Sequence, residues 1–170
     1  KAHSSVVKMI LKQRNDIFAE NDIFALKNIC LNCRNVLVVK TFLKNRNGIT
    51  AENVEWALIS MSVNGEHLIV ETLLKLRPDI SPEKAGSALI CASYNGHFST
   101  VTTLLKHRKD LSAEKVGLAL KCSAFNGYFS IAEKLLQQRP DINAEKVCEA
   151  LVYSIKNDHF LIVEILIKRR

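Results

Sequence analysis

One period of 31 residues runs through this chain, and a fixed period of that size restricts the fold to a stack of repeated supersecondary units. The dipeptides Asn64-Gly65, Asn95-Gly96 and Asn126-Gly127 stand 31 residues apart, and Asn157-Asp158 falls at the next step. Ala-Leu precedes each of them, at Ala57-Leu58, Ala88-Leu89, Ala119-Leu120 and Ala150-Leu151. Leu-Leu follows at 73–74, 104–105 and 135–136, then Leu166-Ile167. Arginine closes each unit at Arg46, Arg77, Arg108, Arg139 and Arg170, and an acid two residues later (Asp79, Asp110, Asp141) recurs in three of them. The first unit is looser: Phe24-Ala25-Leu26 matches Trp56-Ala57-Leu58 at a distance of 32, which places one extra residue near Cys33-Arg34-Asn35.

Each unit reads as a helical hairpin. Thr50, Ser81, Ser112 and Asn143 are N-cap residues, Pro82 suits the first helical position, and Glu52, Glu83, Glu114 and Glu145 oppose the positive helix end. A first helix is predicted over about 113–125, with Val116, Ala119, Leu120 and Ser123 on one face, ended by Asn126-Gly127. A second is predicted over about 98–107, with Phe98, Val101, Leu104 and Leu105 as its apolar stripe and Ser99, Thr103 and Lys106 opposite. A lone hairpin cannot cover its own stripe, so neighbours must stack. The expected whole is one all-α domain over residues 1–170: a second helix at about 2–13, four complete repeats and the last unit's second helix, about five repeats in all, cut from a longer protein.

The segment Ala88-Leu89-Ile90-Cys91-Ala92-Ser93-Tyr94-Asn95-Gly96-His97, continuing to Val101 and Leu104-Leu105, resembles the paired helices of an ankyrin repeat. The resemblance covers most of the chain and implies an α-solenoid of stacked helix-turn-helix units that binds a protein partner on its concave face. Ankyrin repeats run to about 33 residues with a Thr-Pro-Leu-His start. Here Ser-Ala-Leu-Ile (87–90) stands in that place and the loops are shortened, so the β-hairpin fingers are expected to be missing and the first helix to begin about a turn earlier.

Composition narrows the function classes. No stretch approaches the roughly 20 apolar residues of a membrane span. Five cysteines without scaffold-like spacing suit a reducing, cytoplasmic setting. The net charge of +7 favours an acidic partner through long-range attraction. Cys30-x-x-Cys33, expected inside a first helix, lacks further ligands for zinc, and His67, His97, His107 and His159 show no metal-ligand spacing. With no nucleophile context and no phosphate-binding glycine loop, the expectation is no enzyme, no cofactor and no metal. The recurring arginines could read phosphates as a basic stripe, which makes a nucleic-acid-binding α-solenoid the alternative; a ladder of loop salt bridges and carbonyl contacts is the plainer reading.

Positions that hold constant between repeats build the stack, whereas exposed positions that vary are free to recognise something. One varying set is Trp56, Ser87, Leu118 and Glu149, and another is Val63, Tyr94, Phe125 and Lys156 just before the turn. From these, Trp56, Tyr94, Leu118, Lys121, Phe125 and Glu149 are the candidate partner-binding residues, with packing against the adjacent repeat as the competing role for the aromatics. Lys115, Lys121 and Lys146 are expected to steer an acidic partner. The lax, Asn- and Lys-rich repeats also resemble arrays of intracellular pathogens, which would place such a scaffold, as the targeting part of a larger protein, in a host cell.

Overall fold

The structure is a computed structural model that describes residues 22–45 and 48–168. The helix expected at about 2–13, together with Arg46 and Arg170, lies outside the described residues.

Among the described residues the chain forms ten α-helices and no strand. The first helices of the units are α1 (Asp22–Asn28), α3 (Ala51–Val63), α5 (Pro82–Tyr94), α7 (Ala113–Phe125) and α9 (Ala144–Lys156). The second helices are α2 (Val36–Asn45), α4 (His67–Leu76), α6 (Phe98–His107), α8 (Phe129–Gln138) and α10 (Phe160–Lys168). Each first helix packs on the first helices beside it and each second helix on its own counterparts, so the stack is two parallel layers. The core lies between the layers, where Leu58, Leu89, Leu120, Leu73, Leu104 and Leu135 are fully buried.

Local chemistry sets the helix limits. The Thr50 hydroxyl accepts from the Asn53 N–H at 3.3 Å while the Asn53 side-chain oxygen accepts from the Thr50 N–H at 3.4 Å, a reciprocal capping box. Ser81, Ser112 and Asn143 accept from the N–H of Lys84, Lys115 and Lys146, and Pro82 stands in the first turn. At the other end the chain must turn left-handed before the second helix. Gly96 does so at φ +76°, and Asp158 replaces glycine at φ +58°, a conformation to which Asp is better suited than most side chains.

Two expectations are corrected. Cys30 is not in a first α-helix: α1 stops at Asn28, and Cys30 sits buried in a π-helical turn, Ile29–Cys33. A π turn absorbs one residue more than an α turn, which accounts for the first unit's 32-residue spacing, and Arg34 closes it at φ 43° by donating its N–H to the Ile29 carbonyl at 3.1 Å. Phe98, expected in the core stripe, is exposed, and Thr100 is buried in its stead. Phe98 is the first residue of α6, at the Asn-Gly edge of the stack, a turn short of the fully buried Val101.

Candidate protein-binding face

The arginines form a ladder of structural rungs. Arg77 grips Asp79 with two parallel bonds, Nε to Oδ1 at 2.8 Å and Nη2 to Oδ2 at 2.6 Å, and donates Nη1 to the Ile49 carbonyl at 3.0 Å. Arg108 does the same with Asp110 (2.8 and 2.6 Å) and the Ile80 carbonyl (2.9 Å), and Arg139 grips Asp141 likewise (2.8 and 2.7 Å) while its Nη2 also donates to the Leu111 carbonyl (2.8 Å). Each carbonyl belongs to the preceding loop, so each guanidinium pins one loop to the next. Hydrogen bonds from Arg77 and Arg108 hold the Asp79 and Asp110 carboxyls below their ordinary range. With their guanidiniums mostly buried and bonded on two sides, these three arginines present little free donor surface to a phosphate.

A second set of contacts ties the turns together. The His97 ring lies against Gly65 and its Nε2 meets the Val63 carbonyl at 2.8 Å; His159 lies against Gly127 and meets the Phe125 carbonyl at 3.1 Å. Tyr128 takes that place against Gly96 in the intervening unit, and there Asn126 Nδ2 reaches the Tyr94 carbonyl at 3.2 Å.

The solvent side of the first-helix layer carries the candidate residues, and they divide into two groups. Tyr94 and Phe125 are exposed, at 52% and 43%, and Val63 stands before its own turn at the same repeat position with 40%. Phe125 also meets the Tyr153 ring edge-on at 5.8 Å between centroids, so packing and exposure coexist at that position. The remaining candidates are half-buried. Trp56 packs against the core with Lys27 Nζ 4.7 Å above its ring, a cation–π contact. Leu118 lies half-buried on α7. Lys121 and Glu149 are paired with each other at 3.1 Å, Lys121 lies 5.2 Å from the Tyr153 ring centre, and Glu149 takes a second bond from Lys146 at 2.6 Å. Those bonds, from Lys146 first and then Lys121, draw the Glu149 carboxyl below its usual range.

The steering charges expected from the sequence are thus largely compensated, since Lys115 also pairs with Glu83 at 2.5 Å. Residues 22–45 and 48–168 hold 17 lysines and arginines against 15 acids, so most of the +7 surplus resides elsewhere in the chain. Sequence reasoning passed over Ile59, Ile90 and Val152, which share Lys121's repeat position and line the same face. The repeat-to-repeat comparison that singled out Trp56 and Tyr94 would have found them, because that position varies too.

No group of three or more His, Cys, Asp or Glu side chains able to hold a metal is found among the described residues, and no helix among them is long and apolar enough to cross a membrane. Stacked helical hairpins with structural residues fixed and one face variable define a repeat scaffold. A family described as ankyrin repeats, in three copies, matches residues 58–146, just over half the chain, and the chain belongs to the ankyrin-repeat family. Its arrays serve as protein-interaction modules. Comparison with the curated proteins gives no match.

Proposed function

We propose that this array holds a protein partner on the face of its first-helix layer, the concave face in the family, as the targeting part of a larger protein. The observation that carries the reading is the exposed file Val63, Tyr94 and Phe125, one apolar side chain per repeat on a face where Lys115, Lys121 and Lys146 are each paired with a glutamate. Large aromatics of this kind dominate interface energetics once a partner covers them. Trp56, Leu118, Lys121 and Glu149 would border the bound partner. The free cysteines Cys91, Cys122 and Cys148 support a reducing setting, and the Asn- and Lys-rich repeats are the support for one inside a host cell.

The test is affinity capture from nuclease-treated lysate, read by mass spectrometry, beside a Tyr94→Ala/Phe125→Ala variant of unchanged helicity. A protein recovered with the parent chain and lost with the variant supports the reading. Recovery that vanishes on nuclease treatment would transfer the function to nucleic acid, and recovery indifferent to the two substitutions would remove the face.

A further inference from the structure

Four of the six glycines follow an asparagine, at Asn47-Gly48, Asn64-Gly65, Asn95-Gly96 and Asn126-Gly127, and the last three pairs form turns between a first and a second helix. Asparagine is chemically labile, most of all before glycine, whose main-chain nitrogen has no side chain beside it to hinder attack. We infer that Asn64 and Asn95 are sites at which the folded stack ages by deamidation, that Asn126 is spared, and that the product loosens the turn in which it forms. Asn47 lies outside the described residues.

The chemistry needs no reagent but water. The glycine nitrogen attacks the asparagine Cγ and closes a five-membered imide, while its proton leaves with the side-chain amide as ammonia. Water then opens the ring at either carbonyl, giving aspartate or, with one more atom in the main chain, isoaspartate. Because the peptide is planar, ψ governs the approach, and it must swing the nitrogen into line with Cβ. Asn64, Asn95 and Asn126 hold ψ at −3°, 3° and 2°, about a third of a turn from that arrangement. Reaction in the folded chain therefore waits on local opening of the turn.

What resists opening differs from turn to turn. The Asn64 amide donates to the Ser60 carbonyl at 2.8 Å and the Asn95 amide to the Cys91 carbonyl at 2.8 Å, each a single bond within its own helix, and both residues are exposed. Asn126 is half-buried, and its amide bridges the Cys122 carbonyl of its own helix at 3.1 Å and the Tyr94 carbonyl of the preceding first helix at 3.2 Å. It must break from the neighbouring repeat as well as from its own. The ring against each glycine sets this difference. His97 and His159 meet the Val63 and Phe125 carbonyls through Nε2, whereas with Tyr128 against Gly96 the Tyr94 carbonyl is taken by Asn126.

Conversion unfastens the turn. Aspartate lacks the amide that held a last-turn carbonyl, and it puts negative charge at the negative end of the helix. Isoaspartate also lengthens a turn without slack, since Gly65 and Gly96 lie hard against the His97 and Tyr128 rings.

The experiment incubates the 170-residue chain in mildly alkaline buffer made with heavy-oxygen water, with and without urea, and maps deamidation and isoaspartate peptide by peptide by mass spectrometry. In urea the three sites should react at similar rates, at least about tenfold faster than Asn64 and Asn95 do in the folded chain. In the folded chain Asn126 should lag Asn64 and Asn95 at least about threefold. Tyr128→His, which sets a histidine against Gly96 to compete for the Tyr94 carbonyl, should bring Asn126 up to the rate of the other two and change nothing in urea. Asn64→Asp and Asn95→Asp, which copy the charge of the product, should each lower the thermal midpoint by a few degrees. Equal folded rates at the three sites, no product at Asn64 and Asn95 in the folded chain, or folded rates matching those in urea overturns the inference. An Asn126 rate unmoved by Tyr128→His overturns the cause assigned to its protection, and unchanged midpoints in the aspartate variants overturn the loosening.

Discussion

Arg108 shows how one side chain can fasten two repeats. Its guanidinium meets a carboxylate two residues away and a carbonyl 28 residues away, and its side chain is 10% exposed, so removal leaves both Asp110 and the Ile80 carbonyl short of a donor. Hydrogen bonds involving a charged group contribute about 1.5–3 kcal/mol, and Arg108→Ala is expected to lower stability by about 2 kcal/mol on that basis, read as a shift of the urea midpoint at unchanged slope. Arg108→Lys should recover less than half of this, because an ammonium lacks the planar fork that serves two partners; full recovery would show that charge alone suffices.

The same rungs set the acid response. Asp79 and Asp110 have folded-state pKa values below the ordinary one, held down first by the arginine hydrogen bonds. Their contribution is therefore present above about pH 4 and is lost as pH falls through the lower folded-state values. Urea midpoints should drop between pH 7 and pH 3, and the drop should be smaller in an Asp79→Asn/Asp110→Asn variant that starts from a lower midpoint. An identical drop would assign the acid sensitivity elsewhere. The Arg-x-Asp pairing was legible in the sequence because both partners sit in one loop. The Lys27 contact on Trp56 and the Lys121 pairing with Glu149 were not, because they join residues 29 and 28 positions apart whose meeting depends on how one repeat is rotated on the next.

At the scale of the element, the close approach of the first helices rests on small residues facing long ones. Gly86 and Gly117 are buried within α5 and α7, and a Cβ built on Gly117 would lie 2.7 Å from both Cβ and Cγ of Lys146 on the next helix. Alanine in a helix interior is favoured over glycine by about 0.8–1.0 kcal/mol. Here the clash falls on the base of the lysine, which cannot swing aside, and overpacking of that kind costs about 1–3 kcal/mol. Gly117→Ala is thus expected to lower stability, by about 1 kcal/mol net, and to loosen the Lys146 bond to Glu149; a rise in the thermal midpoint would refute the close contact. Helix limits were legible because caps and turn residues act within a few positions of themselves. The π turn at Ile29–Cys33 was visible only as a surplus residue, since a count of residues does not say whether a loop or a helix takes up the excess.

Across the whole molecule, a stack of this kind is stabilised by nearest neighbours, so a hairpin's stability depends on how many sides are covered. Period alone made the stack legible, but the distribution of burial follows from position in it. Ile155 is 54% exposed at the repeat position where Ala124 is fully buried, and Ile167 is 61% exposed where Leu105 is 3%. The α9 and α10 hairpin therefore contributes fewer buried contacts than α5 to α8, and in the 170-residue chain its amides should exchange with solvent through openings of lower free energy. Substitution sharpens the test. Ile155→Lys should change stability by no more than about 0.5 kcal/mol, as surface changes do, whereas Ala124→Lys buries an unpaired charge and should cost more than about 4 kcal/mol or prevent folding. Similar costs at the two positions, or uniform protection along the stack, would mean that the whole array unfolds as one unit and that the nearest-neighbour account of its stability is wrong.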